Sequence, residues 1–468
     1  MLSLTEEYLA VSHDLLAFID ESPSMFHTAN AIRNRLEEAG FVYLSEGATW
    51  NVSPGGCYFT VRNNSSVIAW KVGEKFNIDA PCQSAPCQGV PHQRKPCQGA
   101  PYHFQIAAAH GDSPSYKVKA VPEVQSAQKM LRLSVEAYGG MIDHTWFDRP
   151  LGLAGRVLVR SGARIESRLI NITRDVALIP SLAIHLDHAS GLTPELNRSV
   201  DLMPLFSAGE LSEGSFKRMV AKEAGVNEED VLSWDLFLAD HTGGRIWGIQ
   251  DEFVSAGHLD DLQAAYAALR AFLASDNDTD ISVYACFDNE EVGSNTKQGA
   301  LSTFLRGTLG RINGALGLSE EDLYRALSAS MLVSCDNAHA VHPAHPEKYD
   351  TVNQCVLNGG IVIKEAARQS YCTDAFSRAA FEEILSTNGI PYQVFANRSD
   401  MPGGSTLGNL SNMHVSIHGV DVGLPQLAMH SVFETAGSHD TVLGIRALLA
   451  FYNADVVISE ANAFEVRQ

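Results

Sequence analysis

Several acidic and histidine side chains directly follow apolar runs of the sequence. His110 follows QIAAA, residues 288–291 (DNEE) follow ISVYACF, Asp336 follows ASMLVSC and His430 follows PQLAM. Short apolar runs of this kind predict buried strands, and open α/β sheets bind ligands beyond the carboxyl ends of their strands. We therefore expect these side chains to meet at one edge of a sheet.

Asp260 adds a further candidate ligand, at the start of a predicted helix in SAGHLDDL. One catalytic zinc needs only three protein ligands, whereas two ions about 3.5 Å apart need a bridging carboxylate and separate outer ligands. Imidazole and carboxylate groups together suit borderline divalent metals. Two histidines and three carboxylates therefore favour a two-metal site: His110, Asp260, Asp336, His430 and one residue of the Glu290–Glu291 pair.

Glu290 and Glu291 are adjacent, and the two carboxylates can take different roles. One can bind metal while its neighbour stays free to accept a proton from a bridging water. In a regular strand, adjacent side chains point to opposite faces of the sheet. This interpretation therefore requires that the preceding strand ends by Asp288.

An α/β framework is needed to position these side chains. Residues 4–20 have the periodicity of an amphipathic helix, a second helix ends at Gly40, and alternating runs between residues 42 and 72 predict strands. After residue 250, strand and helix patterns alternate. The sequence therefore predicts an α/β fold with a mixed central sheet flanked by helices.

A β-rich segment separates the first histidine motif from the later ones. It contains runs such as RLSVEAY and GRVLVRS, and the chain of 468 residues exceeds one ordinary compact core. We expect residues 1–123 and 250–468 to form one discontinuous catalytic domain. Residues 124–249 are then an inserted domain.

Residues 77–101 repeat a Pro-Cys-Gln unit three times and have no apolar periodicity. We predict a surface insertion within the catalytic domain. A soft-metal site of Cys82, Cys87, Cys97 and His92 is an alternative, but its spacing fits no standard zinc pattern.

Composition narrows the function classes. A net charge of −21 and a pI of about 5.2 argue against a nucleic-acid partner, which would need a basic face. No run approaches the ~18 apolar residues of a membrane helix, and the acidic start is unlike a signal peptide. We therefore expect a cytoplasmic protein with no membrane partner, and no disulfide framework.

The motifs around these residues resemble those of a known family. HGDSP, SAGHLDDL, FDNEEVGS, SCDNAHAVHP and PQLAMHS occur in the order, and at roughly the intervals, of the M18 aspartyl aminopeptidases. HTWFDRPLGLAGRV, IPSLAIHLD, NGGIVIK and SDMPGGSTLG are also similar to that family. The resemblance covers nearly the whole chain apart from the Pro-Cys-Gln insertion.

The resemblance implies a role for each candidate residue. Asp260 would bridge two divalent ions, with His110 and Asp336 on one ion and Glu291 and His430 on the other. Zinc is the default metal for this ligand mixture, and cobalt or manganese are alternatives. Glu290 would be the general base in hydrolysis of the N-terminal peptide bond by metal-activated water, and Asp112 would orient His110.

The resemblance also implies substrate preference and assembly. Lys364 and Tyr371 match positions that line the pocket for the substrate's first side chain, which implies peptides beginning with Asp or Glu. The inserted domain would mediate dimers that build a tetrahedral dodecamer. His144 would reach into the neighbouring subunit's site, although a core or interface histidine is the ordinary interpretation of that residue.

The sequence departs from the family at three positions near the ligands. Gly111 replaces a common Thr, and His258 and Asp261 replace the Arg and the Asn of an Arg-Leu-Asp-Asn motif. Asp261 is expected to add negative charge beside Asp260. None of these changes removes a ligand.

The sequence is also compatible with other functions. They are a two-metal aminopeptidase or deacylase of different specificity, and a catalytically weak assembly or scaffold particle.

Overall fold

The structure is a computed structural model that describes residues 4–76, 102–186, 196–401, 403–460 and 463–467. The predicted insertion at 77–101, with its three cysteines and His92, lies outside the described residues. The five described cysteines, Cys57, Cys286, Cys335, Cys355 and Cys372, are all free thiols.

The α-helices are numbered in chain order. They are α1 (Leu4–Asp20), α2 (Met25–Glu38), α3 (Ser215–Ala224), α4 (Leu259–Ala274), α5 (Phe304–Ala315), α6 (Glu320–Ser328), α7 (Ala375–Thr387), α8 (Leu407–Ser411) and α9 (Asp440–Asn453). Short 3₁₀ turns occur at Asp143–Trp146, Glu228–Asp230, Glu290–Val292 and Pro346–Lys348.

The strands of the first half are β1 (Val42–Tyr43), β2 (Cys57–Arg62), β3 (Ser66–Val72), β4 (Phe104–His110), β5 (Ser115–Gln125), β6 (Leu131–Tyr138), β7 (Pro150–Ser161), β8 (Arg164–Leu178), β9 (Leu205–Ser207), β10 (Val231–Ala239), β11 (Arg245–Trp247) and β12 (Phe253–Ala256). Those of the second half are β13 (Ile281–Phe287), β14 (Met331–Cys335), β15 (Ala338–His339), β16 (Ile361–Glu365), β17 (Tyr392–Ala396), β18 (His418–Gly423), β19 (Pro425–Leu427), β20 (Glu434–Gly437), β21 (Asp455–Glu460) and β22 (Ala463–Arg467).

A nine-stranded mixed sheet forms the centre of the fold, in the order β1-β2-β3-β13-β4-β14-β18-β16-β17. Its middle strands β13, β4, β14 and β18 are parallel, and antiparallel pairs flank them. The whole of β4, FQIAAAH, is buried, as expected for a central strand covered on both faces. The predicted α/β class with a mixed central sheet is confirmed.

Helices cover both faces of this sheet. One core packs α1, α2, α4, α7 and α9 on one face, and a second packs α5, α6 and α8 on the other. Almost every residue of α4 from Leu259 to Phe272 is buried, so this helix lies inside the molecule. Asp260, in the first turn of α4, is therefore positioned by a buried helix.

Strands of the β-rich segment close into a barrel, in the order β10-β5-β6-β9-β8-β7. The barrel has its own apolar core and carries α3 at its side. Its strands lie between Ser115 and Ala239. The division of the chain into domains stays a prediction.

Two small sheets complete the described structure. One has the order β11-β12-β20-β19-β15, and the other is the hairpin of β21 and β22. Within the described ranges, we find no helix with the length and apolar character needed to cross a membrane.

Candidate metal centre

Three candidate ligands lie at one edge of the central sheet. β14, β4 and β13 are parallel neighbours, so their carboxyl ends are at the same edge. His110 is the last residue of β4 and pairs in register with Phe287, the last residue of β13. Glu291 and Asp336 follow β13 and β14, as the apolar runs predicted.

Asp260 and His430 reach this edge from other elements. Asp260 lies at the start of α4, and its peptide bond to Asp261 is cis. His430 follows β19, which belongs to the small sheet, so the expectation that four strands of one sheet deliver the ligands was wrong for His430. The run PQLAM is too short to show which sheet it joins.

Glu434 connects the segments that carry Asp260 and His430. Its buried carboxylate accepts hydrogen bonds from the backbone N–H of Asp260 at 3.0 Å and from the backbone N–H of His430 at 2.6 Å. Sequence reasoning missed Glu434, because a lone Glu at the start of a strand carries no motif. Its position relative to both ligands appears only in three dimensions.

The five candidate ligands form two groups that share Asp260. His110, Asp260 and Asp336 each offer an atom within 4.8 Å of the others, and so do Asp260, Glu291 and His430. His110 Nε2 is 3.7 Å from Asp260 Oδ1, while His430 Nε2 is 3.3 Å from Asp260 Oδ2. The two oxygens of Asp260 thus face different histidines, which is the arrangement that a bridging carboxylate needs.

Glu290 and Glu291 lie in a 3₁₀ turn rather than in a strand. Asn289 begins the turn with a φ of 64°, directly after β13 ends at Phe287. The condition set for the Glu290–Glu291 pair, that the strand ends by Asp288, is therefore met. The Glu291 carboxylate is 3.4 Å from His430 Nε2, in the second group of ligands.

Asp112 is buried beneath this turn and holds it. Its two carboxylate oxygens accept the backbone N–H groups of Glu290 and Glu291, at 3.1 and 3.2 Å. Its carbonyl oxygen is 3.0 Å from His110 Nδ1, and its carboxylate is 3.4 Å from the same nitrogen. Asp112 therefore contacts His110 mainly through its backbone and contacts the Glu-Glu turn through its side chain.

Tyr138, the last residue of β6 in the barrel, also contacts Asp112. Its hydroxyl donates to Asp112 Oδ2 at 2.7 Å and accepts from Asn289 Nδ2 at 2.8 Å. Sequence reasoning missed this residue, since a Tyr at the end of an alternating strand is normally part of the core. The hydrogen bond links the barrel to the candidate metal centre.

The chain that follows Tyr138 packs against two ligands. Gly139 has a φ of +81°, and a Cβ on it would lie 3.1 Å from Glu291 Cβ and 3.4 Å from Glu291 Oε2. The backbone N–H of Ile142 donates to the carbonyl of His430 at 3.0 Å. We call residues 138–142 the barrel strap. In the sequence, the adjacent Gly139 and Gly140 were the signal for this contact, because glycine is typical of positions where the backbone closely approaches another group.

Burial and mutual repulsion shape the protonation of these carboxyls. Burial raises the pKa of Glu290 to about 8, and burial together with Asp260 raises that of Glu434 to about 8. Burial also raises the pKa of Asp261 well above its ordinary range. Burial therefore acts against the extra negative charge expected beside Asp260.

The site's own chemistry tests whether cations fit it. Asp260 Oδ1 and Glu291 Oε1 are buried and have no hydrogen-bond partner among the described residues. Buried carboxylate oxygens without a partner are costly, and a bound cation would satisfy them. The residues present therefore fit divalent metals.

Lys364 and Tyr371 are brought together beside Asp336. The Lys364 ammonium is buried 5.3 Å above the Tyr371 ring, and it donates to the carbonyl oxygen of Asp336 at 2.6 Å. Burial opposes its charge, but nearby acidic groups, first of all Asp336, outweigh this effect and raise its pKa. Lys364 is thus a fixed cation next to the first group of ligands.

His144 lies apart from the ligands within one chain. It is exposed, in the 3₁₀ turn that follows the barrel strap. The single chain thus leaves its side chain open to a neighbouring molecule.

Most of the chain is similar to known proteins. Residues 18–86 and 94–452 match the family model described as aminopeptidase I zinc metalloprotease (M18). A probable M18 family aminopeptidase 2 of Clostridium novyi (strain NT) is 41% identical over 451 residues, with 94% of this chain and 98% of that protein covered.

The fold is also similar to that of solved structures. A chain from the cryo-EM structure of the Ape4 and Nbr1 complex is 32% identical, with a TM-score of 0.87 and coverage of 96% of this chain and 86% of that one. The S. cerevisiae mApe1 dodecamer gives a TM-score of 0.79 at 26% identity, with 95% and 97% coverage.

Proposed function

Because the chain belongs to the M18 family and is a metallo-aminopeptidase, we propose that it removes N-terminal Asp or Glu residues from peptides, with Glu290 as general base. The observation that supports this reaction is the presence of two ligand groups that share Asp260. Such a pair suits two-metal hydrolysis, since one carboxylate can bridge two ions.

Each ion has its own ligands in this proposal. His110 and Asp336 would hold one ion and Glu291 and His430 the other, with Asp260 between them. When bound, the ions, zinc by default, would polarise the scissile carbonyl and make water a better nucleophile. Asp112 and Glu434 would keep the ligand-bearing segments in place through their backbone hydrogen bonds.

Glu290 would move the proton. Its backbone is fixed by Asp112, and its side chain belongs to neither ligand group. An ionised Glu290 can take a proton from the attacking water and give it to the leaving amine. Burial raises its pKa to about 8, whereas two cations nearby would lower that value and favour the ionised form.

Lys364 would set the preference for acidic residues. Its ammonium donates to the carbonyl oxygens of Asp336 and Asn337 and lies 3.4 Å from Asp336 Oδ1, and a substrate carboxylate would add a further acceptor beside it. The Tyr371 ring packs against the ammonium and fixes it. If Asp336 binds a metal ion, an acidic substrate side chain would give the buried ammonium a second negative partner.

The barrel would form the dimer contacts of a homo-oligomeric particle, as an inserted domain. The similar mApe1 chain is described as a dodecamer, and the chain matches it over 95% of its length, which supports a dodecamer here. A tetrahedral arrangement, the use of His144 in the neighbouring site and the cytoplasmic location are parts of the same proposal.

A substrate panel tests the proposed function. Metal-reconstituted protein should release N-terminal Asp and Glu from short peptides faster than Leu, and should not cleave N-acyl amino acids, which lack the free amine. Preference for Leu would overturn the acidic specificity, and cleavage of N-acyl substrates would favour the deacylase alternative. Absent turnover with bound metal near zero would favour a scaffold particle.

A further inference from the structure

A second cluster of metal-type ligands lies at the opposite edge of the central sheet. His103 directly precedes β4, Asp280 directly precedes β13, and Asp455 begins β21. β4 and β13 are parallel, so these residues mark the amino ends of strands whose carboxyl ends carry the catalytic ligands. The cluster is thus separate from the candidate catalytic centre.

The geometry of this trio matches that of the two catalytic groups. One ligand atom from each of His103, Asp280 and Asp455 lies within 4.8 Å of the others. His103 Nδ1 is 3.0 Å from Asp280 Oδ1. His103 and Asp280 are buried and Asp455 is half-buried, so the cluster is not a solvated surface group.

An unpartnered nitrogen gives independent evidence for a ligand. His103 is only 7% exposed, and its Nε2 is buried with no hydrogen-bond partner among the described residues. A buried imidazole nitrogen without a partner is costly.

The charges also favour a cation. Two carboxylates face one histidine, and Arg467 is 3.9 Å from Asp455 Oδ2. Burial and the charge of Asp280 raise the pKa of Asp455, and the opposing effect of His103 does not cancel them. A divalent ion would relieve this repulsion.

We infer that His103, Asp280 and Asp455 form a third metal site, distant from the catalytic pair, for a divalent first-row ion. One imidazole and two carboxylates suit zinc or manganese, with water completing the coordination. Because Asp455 is the first residue of the β21–β22 hairpin, the ion would connect this hairpin to His103 and Asp280 at the edge of the central sheet. The site would be structural.

Metal counting on the full chain tests this inference. Protein stripped with chelator is equilibrated with Zn²⁺, freed of unbound metal and analysed by mass spectrometry for zinc per chain. Asp455→Asn should bind one zinc fewer than wild type and keep its aminopeptidase activity. Glu465→Gln is the matched control, since Glu465 lies in the same hairpin and pairs with Arg467 outside the trio.

Equal zinc content in Asp455→Asn and wild type would overturn the site. So would loss of the same zinc from Glu465→Gln, because the effect would then belong to the hairpin as a whole. If Asp455→Asn does not fold, anomalous scattering at the zinc edge from wild-type crystals decides the matter. A peak between the three side chains supports the site, and its absence at full catalytic occupancy rejects it.

Discussion

Carboxyl groups crowd the candidate centre, and each has a neighbour that defines its role. Asp260 faces both histidines, Glu291 faces only His430, and Glu290 faces neither at ligand distance. Asp112 accepts the backbone N–H groups of the Glu-Glu turn. Residue type alone could not separate Glu290 from Glu291, whereas their contacts do.

Replacement of the proposed base should remove turnover and leave metal binding intact. In Glu290→Gln the side chain keeps its size but cannot accept a proton, so kcat should fall by about 10²–10⁴-fold. Zinc content should equal that of wild type, because Glu290 is outside both ligand groups. Steady-state kinetics and metal analysis on the same preparation check this, and retained turnover would exclude Glu290 as the base.

Lys364 gives a prediction about specificity. In Lys364→Met the packing against Tyr371 is largely kept, but the charge that would meet an acidic substrate is lost. A charge-assisted hydrogen bond contributes about 1.5–3 kcal/mol, so kcat/KM for an N-terminal Asp peptide should fall by roughly 10–100-fold.

The matched Leu peptide is the internal control for Lys364→Met. Its kcat/KM should change far less, because an apolar side chain makes no ion pair with Lys364. An equal loss of kcat/KM on both peptides would mean that Lys364 positions Asp336 and does not bind the substrate's side chain.

At the scale of elements, the barrel strap shows how a separate layer of structure can position the ligands. The Tyr138 hydroxyl donates a hydrogen bond to the Asp112 carboxylate, and the Ile142 N–H donates one to the His430 carbonyl. Gly139 packs against Glu291. All three contacts connect the barrel to segments of the main fold. A substitution in the strap should therefore affect metal binding although no ligand is replaced.

Gly139→Ala should weaken metal binding through Glu291. The new Cβ would lie 3.1 Å from Glu291 Cβ, and the positive φ of +81° adds backbone strain. Changes of this kind around ligands typically cost about 10–100-fold in metal affinity. Gly162→Ala is the control, because Gly162 has a φ of +61° in the barrel and open space around it. Equal zinc affinity in both variants, measured by competition with a chelating dye, would contradict the role of the strap.

The sequence predicted the elements better than it predicted how they associate. α1, β4 and β13 appear as their apolar patterns indicate, since burial on one or both faces dictates those patterns. Three ligands follow from that, because parallel strands share an edge. His430, Glu434 and Tyr138 reach the site from other sheets, and contacts between distant segments leave no local pattern.

At the scale of the whole molecule, metal-free protein should lose stability as pH rises from about 5 to 8. Burial raises the folded-state pKa of Glu290 and Glu434 to about 8 and, with Asp112, that of Asp288 to about 7. Across this window the folded chain binds more protons than the unfolded chain, so unfolding becomes easier with increasing pH.

Melting temperatures of chelator-treated and zinc-loaded protein at pH 5, 6.5 and 8 check this prediction. The zinc-loaded form should change less, because bound cations stabilise the ionised carboxylates. Glu290→Gln should flatten the decline of the metal-free form, since one titrating group is gone. A melting temperature that rises over this pH range in the metal-free form would contradict the buried, protonated state of these acids.

Assembly gives the last prediction, because His144 is exposed in the single chain while the strap beside it contacts the metal centre. If His144 acts in the neighbouring site, His144→Ala and Glu290→Gln should each be nearly inactive alone but complement each other in mixed particles. A Glu290→Gln subunit would lend its His144 to a site that keeps Glu290. Random pairing makes half of the dimers mixed with one competent site each, so activity should recover to about a quarter of wild type.

Differently tagged chains, co-expressed and purified on both tags, allow this measurement. The control is a mixture of the two variants that were expressed and assembled separately. Activity no higher than the sum of the two parents would place His144 outside the neighbour's site.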